Sequence, residues 1–128
     1  RRGIAFELNV EREGNGERTL LKEEVVLKVE VTDIKDARVV FKVLDGYIKI
    51  DENVYGVKDG IGRAFLGKFG WLEVSGTAVR EDCEYRFYLD GMLHIERPGL
   101  VVVGLTGVFR NDQEGYRLRI MAKIEKSD

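Results

Sequence analysis

Alternation is the feature that most limits what this chain can fold into. Ile4, Phe6, Leu8 and Val10 take every second place in the first segment. Val25, Leu27, Val29 and Val31 repeat the pattern, with Lys28 and Glu30 between them. Side chains on a strand point alternately to its two faces, so period two predicts strands with one buried face. No segment sustains a 3.6-residue period.

Turn signals cut the alternation at short intervals: Gly14-Asn15-Gly16, Asp33 to Asp36, Asp45-Gly46, Asp59-Gly60, Asp82, Asp90-Gly91, Pro98-Gly99, and Asn111 to Gly115. Asp-Gly between alternating runs suits a type I′ hairpin, whose two central residues need positive φ. Pro98-Gly99 suits the centre of a type II turn. This punctuation predicts strands over about 3–13, 19–33, 37–44, 47–51, 54–58, 61–67, 69–80, 83–89, 92–97, 100–110 and 115–126, some of them merged with their neighbours. The expected fold is all-β: one domain over residues 1–128, an antiparallel β-barrel of about 8–10 strands. A barrel hides edges that would invite aggregation. A β-sandwich is the alternative.

The chain also matches itself. Val26–Asp51 laid over Trp71–Glu96 without gaps brings together Leu27 and Leu72, Val29 and Val74, Thr32 and Thr77, Leu44 and Leu89, Asp45 and Asp90, Gly46 and Gly91, and Ile50 and Ile95. Like replaces like at Ile34/Val79, Lys35/Arg80, Asp36/Glu81, Ile48/Leu93 and Asp51/Glu96, and Gly62 meets Gly107. Register kept through strands and turns favours two four-strand pseudo-repeats, about 26–64 and 71–109, flanked by strands 3–13 and 115–126 that pair to close the barrel. On this reading Asp45-Gly46 and Asp90-Gly91 are the turns of the central hairpins.

The copies differ in charge. Lys42, Lys49, Asp51, Lys58 and Arg63 of the first stand where the second has Phe87, His94, Glu96, Val103 and Val108. The run Gly99 to Phe109 is apolar on both faces. A strand apolar on both sides is usually covered on both sides, and large exposed apolar patches are uncommon on monomers. The expected function is therefore non-enzymatic contact with other proteins, with self-association through the second half. The expected interface is Tyr85, Phe87, Leu89, Met92, His94, Val101 and Val103. A sandwich, whose second sheet would bury the same face, carries equal weight.

Two other classes stay in view. One is a carrier of a small apolar ligand, lipocalin-like in architecture alone, with Trp71, Tyr85, Phe87, Tyr88 and Phe109 able to line a cavity or to fill a core. The other is an enzyme using carboxylates at a barrel mouth, drawing on Glu7, Glu73, Glu84 or Glu96. No catalytic, cofactor-binding or metal-binding set can be named. His94 is the single histidine and has no orienting carboxylate in its expected hairpin. Cys83 lies among Glu81, Asp82 and Glu84, which disfavour a thiolate. Gly60-Ile61-Gly62-Arg63 precedes no helix that could hold a phosphate.

Composition narrows the partners. With 21 basic and 23 acidic residues, split 12 to 13 in residues 1–64 and 9 to 10 in residues 65–128, there is no basic arm for nucleic acid. No apolar run reaches the roughly 20 residues of a membrane helix, so no transmembrane segment is expected. A charged fraction of 34% with four Asn and one Gln leans towards a thermophile. The lone cysteine excludes an internal disulfide framework. The chain opens Arg1-Arg2 without methionine, which suggests removal of an N-terminal segment and leaves localisation open between cytoplasm and cell surface.

Overall fold

This computed structural model has eight strands among its described residues, because 37–44 joins 47–51, 54–58 joins 61–67 and 83–89 joins 92–97. They are β1 (Gly3–Glu13), β2 (Leu20–Lys35), β3 (Arg38–Ile50), β4 (Asn53–Phe65), β5 (Trp71–Arg80), β6 (Cys83–Arg97), β7 (Leu100–Arg110) and β8 (Gly115–Lys126). The structure describes the backbone of residues 3–13, 20–97 and 100–126, and the side chains of 23–94, 101 and 103–121. The Gly14-Asn15-Gly16 and Pro98-Gly99 turns and the side chains of Glu7 and Glu96 lie outside these residues. Strands β2 to β8 form one antiparallel sheet in chain order. Strand β1 runs against β2 from Gly3↔Glu30 to Glu13↔Leu20, and against β8 from Ile4↔Lys126 to Val10↔Ile120.

Two tight turns fall where acidic residues signalled them. Asp36 and Ala37 (φ 52° and 65°) link β2 to β3, and Glu81 and Asp82 (φ 48° and 65°) link β5 to β6. Positive φ at both positions matches the right-handed twist of the flanking strands. Asn111 shapes the β7–β8 turn: its Oδ1 accepts from the backbone N–H of Gln113 and of Glu114, both at 2.9 Å.

The Asp-Gly pairs do something else, which corrects the hairpin reading. Asp45-Gly46, Asp59-Gly60 and Asp90-Gly91 lie inside β3, β4 and β6. The register slips at the first two, leaving Leu44 and Lys58 as extra residues of bulges. Gly46 has φ 145°, and a Cβ there would fall 2.1 Å from the carbonyl oxygen of Val26; at Gly91 it would fall 1.7 Å from that of Gly104. These glycines allow neighbouring backbones to close where the sheet coils hard.

One face of the sheet is buried. Val25, Leu27 and Val29 of β2 meet Phe41, Val43, Ile48 and Ile50 of β3, and Leu72, Val74, Leu89, Val103, Leu105, Leu118 and Ile120 continue the layer. At the β7–β8 end, Tyr55, Tyr85 and Phe109 pack with ring centroids 4.7–4.9 Å apart, and Tyr116 lies 6.1 Å from Phe109. Such pairs add about 0.5–1.5 kcal/mol beyond their burial. The Tyr85 hydroxyl donates to the Glu114 carboxylate and so ties this cluster to the turn above it.

The loss of the Asp90-Gly91 turn also redirects the second half. With β6 continuous through Gly91, Tyr85, Phe87 and Leu89 keep one parity and Met92 takes the other. The core takes Tyr85, Phe87 and Leu89, and Val103 of β7 with them. The bulge at Leu44 of β3 brings Phe41 and Val43 into the core, whereas Arg86 and Tyr88, forty-five positions later, face out. The exchange of Lys42 for Phe87 is thus an exchange of faces as well as of residue.

Candidate functional site

The outer face of β5–β8 carries exposed apolar side chains around a depression. Cross-strand register sets them in a row. Phe65 opposes Trp71, Trp71 opposes Met92, Met92 opposes Gly104, and Gly104 opposes Met121. Each takes the outward parity of its strand, because Ala64, Leu72, Val103, Leu105 and Ile120 take the inward one. Met92 and Met121 are 59% and 65% exposed, far more than apolar side chains of their size usually are on a sheet face. They are the chain's only methionines. Between them Gly104 has no side chain, and the resulting groove, about 610 Å³, is lined by Trp71, Glu73, Asp90, Gly91, Met92, Gly104 and Thr106 among others.

A polar row runs parallel to it: Arg63 opposes Glu73, Glu73 opposes Asp90, and Asp90 opposes Thr106. Arg63 Nε donates to Glu73 Oε1, and the Tyr88 hydroxyl lies 3.1 Å from Glu73 Oε2 and 3.3 Å from Asp90 Oδ2. The Arg63 guanidinium also stands 5.9 Å from the centre of the Trp71 ring. The hydrogen bond from Arg63 holds the Glu73 carboxyl below its ordinary range. Burial, with the bond to Glu73, holds the Tyr88 hydroxyl above its own. Both groups are therefore locked in their usual charge states at neutral pH, which is the behaviour of an orienting network and not of an acid–base pair poised to exchange protons.

The other sequence candidates scatter. Tyr85, Phe87, Leu89 and Val103 are buried and unavailable to a partner in this fold, whereas Met92 and His94 are exposed and Val101 is half-buried. His94 opposes Val102 across the β6–β7 ladder. It borders a cleft of about 200 Å³ with Leu66, Phe69, Leu93 and Val101. Of the possible cavity aromatics, Tyr85, Phe87 and Phe109 are core, and Trp71 and Tyr88 face outwards. Glu84 is exposed and pairs with Lys58 at 3.7 Å. Cys83 is exposed at the start of β6. No group of three or more metal-ligating side chains occurs among the described residues. Sequence reasoning missed Met121. Its place between Ile120 and Ala122 would have revealed it, because inward parity at Leu118 and Ile120 turns Met121 outwards.

The chain matches no protein-family model, and no similar curated protein or solved structure was found.

Proposed function

We propose that this protein is a closed eight-stranded β-barrel that works through protein–protein contact and self-associates by the outer face of β5–β8. Closure is supported by the two-sided register of β1. A duplicated origin is supported by the turns at Asp36-Ala37 and Glu81-Asp82, and by the pairs Leu27↔Gly46 and Leu72↔Gly91, which recur at one spacing. The observation that carries the functional reading is the exposed row Trp71–Met92–Gly104–Met121 around its groove.

Methionine is unbranched and polarizable, so it adapts to an opposing surface, and a side chain entering the notch at Gly104 would be covered on both sides. The polar row beside it supplies both signs of charge and a fixed tyrosine hydroxyl, the composition of an interface rim. Self-association fits this face better than ligand carriage fits the interior, where Phe41, Phe87 and Phe109 occupy the space a carrier would leave open.

Light scattering across a concentration series tests the proposal. Wild-type protein is expected to gain mass with concentration, and Met92→Lys with Met121→Lys to remain monomeric with an unchanged melting temperature. A wild-type monomer at all concentrations would overturn it.

A further inference from the structure

The two ends of the sheet differ in charge and in apolarity. Because every strand runs opposite to its neighbours, the β3–β4, β5–β6 and β7–β8 turns share one end, and the β2–β3 turn and the β4–β5 loop share the other. The first end is acidic: Asp51, Glu52, Glu81, Asp82, Asp112 and Glu114 outnumber Arg80 and Arg110 in its turns and flanking residues. At the second, Lys35, Arg38 and Lys68 outnumber Asp36 in the corresponding positions.

The second end also projects apolar tips. Ile34 is 67% exposed, Leu66 45%, and Phe69 76%, the highest of any large apolar residue among those described. Phe69 sits at φ 58°, a left-handed conformation that a bulky residue rarely adopts. The loop holds it there. Leu66 N donates to Ala37 O at 2.8 Å, and Leu93 N donates to Gly70 O at 2.9 Å, so both feet of the loop are anchored to neighbouring elements. The Lys68 ammonium lies 5.5 Å from the centre of the Phe69 ring, and the Arg38 guanidinium 5.7 Å from that of Phe65.

We propose that this end docks on an anionic membrane surface. Phe69, Leu66 and Ile34 enter the boundary between headgroups and acyl chains, while Lys35, Arg38 and Lys68 meet the lipid phosphates. Apolar tips on the β4–β5 loop and on the end of β2 need a shaped receptor in a protein, but a bilayer receives them without one. The acidic far end would be repelled if it approached the same surface, so the basic end is the one that docks. The strands themselves do not enter the bilayer, since Asp90 and Arg119 face outwards midway along β6 and β8.

Co-flotation with phosphatidylcholine vesicles, with and without phosphatidylserine, tests the docking. The protein is expected to float with the anionic vesicles, to leave them as salt rises, and to lose roughly ten-fold or more in affinity in Phe69→Asp and Lys68→Glu. Asp tolerates a left-handed φ and Phe69 is exposed, so Phe69→Asp keeps its fold and melting temperature. Trp71, the single tryptophan, opens the strand directly after the loop, so brominated acyl chains are expected to quench it. Met92→Lys with Met121→Lys leaves flotation intact, which separates this end from the face proposed for self-association. The docking is overturned if anionic vesicles bind no protein, or bind Phe69→Asp as well as wild type. It is equally overturned if Phe69→Asp alters only the protein's mass in the absence of lipid.

Discussion

Gly91 and Gly104 oppose the same stretch of sheet and play opposite parts. A methyl at Gly91 would lie 1.7 Å from the carbonyl oxygen of Gly104, so the backbone must move to admit it. A methyl at Gly104 would meet only Met121 Sδ at 3.5 Å, an ordinary contact. Gly91→Ala is therefore expected to cost roughly 1–3 kcal/mol, and Gly104→Ala to leave the melting temperature near wild type. Equal stability of the two variants would refute this reading of the β6–β7 approach. Tyr85 supplies a second test at this scale. Burial, then its bond to Glu114, raises its pKa above the ordinary tyrosine value. The unfolded chain ionises near pH 10, so the contribution of Tyr85 is whole below that pH and is lost as pH rises beyond it. Urea midpoints are expected to fall faster between about pH 9 and 11 in wild type than in Tyr85→Phe.

Among the elements, the turns show what local chemistry can and cannot announce. Asp36 and Asp82 sit in true hairpin turns, because their short side chains tolerate positive φ at little cost. Ala37 shares that conformation without such help, so Ala37→Gly is expected to stabilise the protein by about 1 kcal/mol, read as a higher thermal midpoint. Asp45-Gly46 and Asp90-Gly91 carry the stronger hairpin signal, yet they lie mid-strand. Asp-Gly reports a backbone that must bend, and whether it bends into a turn or into a bulge depends on the neighbouring strand. That dependence also limited the candidate site. Reading a turn at Asp90-Gly91 misplaces the side chains of β6 before it: Tyr85, Phe87 and Leu89 pass for interface and lie in the core, whereas Met92 and His94 beyond it do face outwards.

For the whole molecule, strand alternation made the all-β architecture legible, and the core positions of β2 in particular, because period two needs no knowledge of partners. The pairing of β1 with β8, the groove across β5–β8 and the unlike charge of the two ends arise from contacts far apart in the chain. Charge balanced along the sequence proves unbalanced in space, since antiparallel order gathers the acidic turns at one end. The claim that the methionine row is a contact face is tested most directly by the methionines themselves. The chain has two, so mild peroxide followed by intact mass reads Met92 and Met121 once the exposed thiol of Cys83 has been alkylated beforehand. Self-association through this face predicts that both oxidise quickly in dilute protein and several-fold more slowly at concentrations where mass has grown. Oxidation at one unchanging rate, dilute or concentrated, would contradict it.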